Sequence, residues 1–130
     1  MTQCDLHSVG GEFPCSEGRA QLCESLILTA EDGLRDTLVP RLIAAGADLS
    51  KIHFLTGVKT EGADDETLFD LSRDIAVLRK VLKENPNIRI LIVDPLTAYL
   101  GETKAKENSA VRKVLAPLVK LIEETGVLAL

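Results

Sequence analysis

Four large apolar residues in a row, Ile90-Leu91-Ile92-Val93, run directly into Asp94 and Pro95. A strand that is apolar on both faces must be covered on both, the situation of a strand inside a parallel sheet flanked by helices. Pro95 has no backbone N–H to give to a ladder, so the strand stops at the acid. Two shorter runs have the same character: residues 25–29 (Ser-Leu-Ile-Leu-Thr) stop at Glu31-Asp32-Gly33, and residues 52–56 (Ile-His-Phe-Leu-Thr) stop at Gly57. Between them the apolar period becomes helical. Leu34, Leu38, Leu42 and Ile43 share a face of a segment that Gly46 can end in the left-handed conformation, with Pro40 marking a start just before it or a kink. Leu68, Leu71, Ile75, Leu78 and Leu82 predict an amphipathic helix over 67–84, stopped by Asn85-Pro86. Val111, Val114, Leu115, Leu118 and Ile122 predict another, capped by Asn108 or Ser109, kinked at Pro117 and ended by Thr125-Gly126. Residues 127–130 begin a further strand, while residues 59–66 and 101–108 read as exposed loops. Gly10-Gly11, Pro14 and Gly18 break residues 1–24 into an irregular N-terminal segment. Strands alternating with helices predict one α/β domain over 1–130, with a mainly parallel sheet and its ligands at the C-terminal strand ends. Glu31 and Asp94 both stand at such ends.

Composition narrows the partners. With 45% apolar and 27% charged residues the chain is globular rather than disordered, and no apolar run reaches the length of a membrane helix. A net charge of −5 supplies no general field for nucleic acid. The aromatic residues Phe13, Phe54, Phe69 and Tyr99 are too scattered for a base-stacking platform. Three cysteines crowded into the N-terminal part, with no secretory signal ahead of them, fit a reducing cytoplasm better than a disulfide framework.

A dry strand ending in one carboxylate is the form of a Walker B strand, in which the acid serves a magnesium ion on nucleotide phosphates. The same pattern also describes a buried strand closed by an Asp-Pro turn. Glu31 ends a second strand, and on a parallel sheet two such acids can lie side by side, one orienting metal and the other polarising water. Glu31-Asp32 also suits a helix start, where the macrodipole favours acids.

The stretches Leu26-Ile-Leu-Thr-Ala-Glu-Asp32, Pro40-Arg-Leu-Ile-Ala-Ala-Gly-Ala-Asp48, Ile90-Leu-Ile-Val-Asp-Pro-Leu-Thr-Ala-Tyr-Leu-Gly101, Val111-Arg112 and Leu115-Ala-Pro-Leu118 together resemble the RecA-type ATPases of the RepA-like hexameric replicative helicases of plasmids, within the AAA-type ATPases. The resemblance runs from about Val9 to Leu130. It implies a RecA-like P-loop NTPase domain that binds ATP and magnesium and couples hydrolysis to DNA replication or helicase work. In it Glu31 activates the attacking water and Asp94 serves the metal. It also implies assembly as a homo-oligomer or with a partner that supplies a missing segment, and contact with nucleic acid.

The departures are as informative. A phosphate loop needs Gly-x-x-x-x-Gly-Lys-Ser/Thr, so that glycine amides approach the phosphates, a lysine meets their charge and a hydroxyl holds the metal. None of the 130 residues forms one; Gly57-Val-Lys-Thr60 has its lysine one residue late and reads as a turn. The family places the loop upstream of residue 1, which makes residues 1–8 the remnant of the following helix and Gly11 to Pro14 the loop after it. The chain then reads as the middle of a RecA-like domain, cut at both ends and lacking the phosphate-loop strand. In the family's sheet the strand matching 127–130 lies between the Walker B and phosphate-loop strands, so here it is expected at an edge. Two functions follow: a fragment of an ATPase that is inactive alone, or a noncatalytic remnant or interaction module that keeps the fold.

Three other groups have weaker claims. Cys4, His7, Cys15 and Cys23 are soft ligands, and Cys-x-x-His is half of a zinc site, but the wide gap between Cys15 and Cys23 suits ordinary loop and core cysteines. His53 has no acid at a recognisable spacing and reads as a packed or edge histidine. Lys104, Lys106, Arg112 and Lys113 form a basic cluster that Glu102 and Glu107 dilute, as on a solvated face.

Overall fold

The computed structural model describes residues 3–13, 16–30, 33–59, 66–100 and 108–130. Its frame is a four-stranded parallel sheet in the order β2-β1-β5-β6. These strands are β1 (Glu24–Thr29), β2 (Ile52–Leu55), β5 (Ile88–Asp94) and β6 (Leu128–Ala129). A two-stranded antiparallel ribbon, β3 (Val58–Lys59) with β4 (Glu66–Thr67), stands apart. The helices are α1 (Gln3–Val9), α2 (Val39–Ala44), α3 (Ile75–Glu84) and α4 (Asn108–Thr125). With the two most apolar strands at its centre and helices around it, this is a mixed α/β, RecA-like architecture.

The alternation of side chains across β1 divides the core in two. Leu26 and Leu28 face a large apolar cluster built with Leu91, Leu78 and Leu82 of α3, and Leu118 and Leu121 of α4. Ile27 faces the other way, onto Leu42 of α2 and Ile52 of β2. Both sides of the sheet are therefore covered. Arg79 and Glu124 pair across α3 and α4. Among the described residues no helix is long and apolar enough to cross a membrane.

Three elements depart from the sequence pattern. Residues 3–9 are helical where the glycines and Pro14 predicted irregular chain; the resemblance had a helix there, and the breaking glycines fall only after it ends, at Gly10. The helix expected over 67–84 starts eight residues later, at Ile75. Its first part is replaced by side-chain-to-backbone bonds: Asp70 Oδ1 accepts from the Ser72 N–H at 2.8 Å and hydroxyl at 2.6 Å, and the Asp74 carboxylate accepts from the Asp70 N–H at 3.0 Å. Such bonds offer the backbone an alternative to the helical ladder. They let Phe69 and Leu71 enter the core from an irregular segment, while Leu68 stays exposed. Residues 58–59 and 66–67 pair as the ribbon instead of belonging wholly to an exposed loop.

The second helical segment begins as a π-helical turn over Leu34–Leu38 and becomes α2 at Val39, so the change of helix type falls just before Pro40. Its apolar face is narrower than the pattern suggests: Leu42 is buried and Ile43 exposed. Gly46 follows with φ of +80°, the left-handed conformation that glycine adopts without a Cβ clash. At the other end of the chain, β6 pairs with β5 through Ile90↔Leu128 and Leu91↔Ala129 and forms an edge of the sheet, as the resemblance implied.

Candidate functional site

The central strands carry the site. β1 and β5 are parallel neighbours in register from Ser25↔Ile90 to Thr29↔Asp94, so Thr29 and Asp94 finish side by side at the C-terminal edge. Asp94 is exposed there because Pro95 turns the chain away at the sheet's rim. A cavity of about 190 Å³ opens beside the pair, lined by Thr29, Thr37, Arg41, Ile92 and Asp94 among others. Its outer wall is the π-helical turn and α2. The wall comes close at Gly33, where a Cβ would meet Thr37 Oγ1 at 2.9 Å and Thr37 Cβ at 3.1 Å. A larger residue there would force the Thr37 side chain, which lines the cavity, to shift. The lining thus combines a carboxylate, two hydroxyls and a guanidinium around an apolar floor, a donor set suited to a metal-bound phosphate.

Glu31, the candidate base, lies outside the described residues, as does Asp32. The last described residue before it is Ala30, which follows Thr29 out of β1.

Beyond Asp94 the chain makes a 3-10 turn, Leu96–Tyr99, that drives Tyr99 into the core. The ring is fully buried and meets Phe69 edge-on at a centroid distance of 6.2 Å, and the Tyr99 carbonyl accepts from the Leu71 N–H at 2.9 Å. Among the described residues its hydroxyl has no hydrogen-bond partner. Burial, aided by the negative charge of Asp94, pushes the phenol up to about 12. A buried, unpartnered hydroxyl costs about 1–3 kcal/mol. Tyr99→Phe is therefore expected to raise the urea midpoint rather than lower it. The sign with pH follows from the same shift: the unfolded phenol ionises first, near about pH 10, so the wild type loses stability as pH rises from there toward 12, and Tyr99→Phe loses none through this group. A destabilised Tyr99→Phe would mean that the hydroxyl has a partner.

Arg41 lines the cavity although the sequence did not single it out; it has no local signal, because it reaches the site only when α2 folds over β1.

The remaining candidates resolve differently. His53 does have an acid: its Nε2 lies 2.6 Å from Glu24 Oε2, a partner brought across from the neighbouring strand and invisible to local spacing. That pair sits toward the N-terminal end of the sheet, away from Asp94. His7 Nδ1 bonds to the Gln21 carbonyl at 2.8 Å, and its ring packs on Phe13. Burial raises the pKa of the Cys23 thiol. Cys15 and the Cys4 side chain lie outside the described residues, and among the described residues no three His, Cys, Asp or Glu gather as a metal cage. Lys104 and Lys106 also lie outside the described residues, while Arg112 and Lys113 are exposed on the first turns of α4.

No curated protein matches the chain. A family model described as an AAA domain matches residues 6–130. That span takes in every strand of the sheet together with Glu31, Arg41 and Asp94, and by it the chain belongs to the AAA domain family, whose P-loop ATPase character agrees with the parallel sheet.

Proposed function

We propose that this chain is the nucleotide-facing part of an ATPase of RepA-like, replication or helicase type, and that the 130 residues do not hydrolyse ATP by themselves. The observation that carries the reading is the pairing of Thr29 with Asp94, which ends the Walker-B-like strand beside the strand leading to Glu31. Nucleotide with magnesium is the ligand that the family implies. Magnesium is held by one or two carboxylates together with phosphate oxygens rather than by an all-protein cage, and the oxygen donors at this edge fit that pattern. When bound, the ion would neutralise charge on the phosphates. Asp94 would hold it from the end of β5, Thr29 would offer a neighbouring hydroxyl, and Arg41 would face the phosphates from α2. Glu31 would accept a proton from the attacking water. The phosphate cradle must come from residues other than these 130.

Manganese, a paramagnetic stand-in for magnesium, tests the metal end without nucleotide. Millimolar Mn²⁺ is expected to broaden the amide signals of Thr29 and Asp94 before those of the opposite sheet edge, and Asp94→Asn to remove that preference. Uniform broadening in the wild type would count against Asp94 as a ligand.

A noncatalytic interaction module is favoured by one specific feature, the edge strand β6. Leu128 and Leu130 are about half exposed there, and an edge with apolar side chains and unpaired backbone groups is a template for another strand. On either reading we expect association, as a homo-oligomer or with the segment that covers this edge. Sedimentation of the wild type at micromolar concentration should show self-association that Leu128→Lys reverses; a monomeric wild type, unchanged by Leu128→Lys, would show that the edge is already covered.

A further inference from the structure

The strand ends opposite Asp94 form a second depression, of about 420 Å³, within the size range of small-molecule sites. Its lining includes Cys23 and Glu24, the last residue before β1 and its first, Lys51 just before β2, Asn87 just before β5 and Arg89 near the start of β5. The position of Arg89 has a specific cause. Glu24 pairs with Ile88 but Ser25 pairs with Ile90, so a register shift leaves Arg89 without a partner on β1. An extra residue of this kind re-aims a side chain. It also accounts for the one charge that interrupts the apolar run of β5.

The charges around the depression are unevenly satisfied. Glu24 is engaged on both oxygens, by His53 at 2.6 Å and by the Asn87 amide at 3.4 Å. Among the described residues no carboxylate comes within ion-pair distance of Lys51 or Arg89; Asp48 is the acid that acts on Lys51, from farther away. Two cations in the lining of one depression, one of them a guanidinium fork, match a phosphate group. Glu24, held by His53 and Asn87, accepts hydrogen bonds only, and its remaining lone pairs suit hydroxyls rather than a second anion. We infer that this depression binds a hydroxylated phosphate monoester of sugar-phosphate type, with its phosphate between Lys51 and Arg89 and a hydroxyl on Glu24. The site lies at the sheet edge away from Asp94 and is separate from the nucleotide chemistry proposed above.

Glucose 6-phosphate, glucose and inorganic phosphate, each titrated into the full chain, test the inference by heteronuclear NMR. Glucose 6-phosphate is expected to shift the Arg89 Nε–H and Asn87 side-chain amide signals saturably, with Kd in about the millimolar range. Inorganic phosphate should bind the same cations more weakly, and glucose should shift nothing. Arg89→Ala and Lys51→Ala should each weaken glucose 6-phosphate about tenfold, the value of one charge-assisted contact. If Arg89→Ala does not fold, Arg89→Lys keeps the charge without the fork and should weaken binding several-fold. The inference is overturned if the Arg89 signal does not saturate, if the shifts appear at Thr29 and Asp94 instead, if inorganic phosphate binds as tightly as glucose 6-phosphate, or if none of the three substitutions changes the affinity.

Discussion

Joined in cis to a strand, a Gly-x-x-x-x-Gly-Lys-Thr loop and a helix, this chain is expected to turn over ATP, and Glu31→Gln should then lower the turnover by about 10²- to 10⁴-fold, the usual contribution of a general base. The 130 residues alone should show no magnesium-dependent hydrolysis above the Glu31→Gln background. The two expectations have one origin. Phosphoryl transfer is mostly positioning and charge stabilisation, and a base acts only on water beside a phosphate that is already held. On the proposed reading the chain would contribute Asp94, at the end of β5, as the metal carboxylate and Glu31, which follows β1 in the sequence, as the base; the ends of β1 and β5 are paired at Thr29↔Asp94. What it does not contribute is a backbone nest for the phosphates, since no glycine-rich loop occurs in the sequence. Steady-state phosphate release measures both halves. Strong hydrolysis by the unmodified chain that Glu31→Gln abolishes would show that one of its own loops holds the phosphates. A joined chain whose turnover ignores Glu31→Gln would remove Glu31 from the mechanism.

Where the sequence was readable, one force dominated. The strands centred on Ile27 and Leu91 are apolar on both faces, which suits a covered parallel sheet, and the end of the second is marked by Pro95, which has no N–H to give a ladder. α3 was misjudged at its start because Leu68 and Leu71 keep the helical period although Asp70 and Asp74 hold the backbone out of the helix. Periodicity records burial, and Leu71 is buried; it does not record which hydrogen bonds the backbone chose. The place of Asp94 at a strand end was readable for the same reason, since it stops an apolar run. Arg41 and the Glu24–His53 pair were not, because their significance arises only when α2 folds over β1 and when β1 meets β2. The register shift at Arg89 belongs with them: it is a property of two strands together.

The same geometry separates residues that hold the sheet from the residue that uses it, and Leu91→Ala beside Asp94→Asn makes the separation measurable. Leu91 is fully buried at the centre of β5, in the cluster shared with Leu28, Leu78 and Leu121. Truncating a leucine there removes its transfer free energy and leaves a cavity that the flanking strands cannot close, at a cost of about 2–5 kcal/mol. A domain of this size has roughly 5–15 kcal/mol to lose, so Leu91→Ala should lower the melting temperature by on the order of 10 °C or more. Asp94, three residues along the same strand, is exposed and makes none of these contacts. Asp94→Asn should therefore leave stability within about 0.5 kcal/mol of wild type, while removing the Mn²⁺ preference at Thr29 and, in the joined chain, the magnesium-dependent turnover. Thermal unfolding and the manganese titration on the same two variants give the comparison. If Asp94→Asn destabilised the chain as much as Leu91→Ala, Asp94 would be a structural strand terminator closed by its Asp-Pro turn, and the Walker B reading would lose its physical basis.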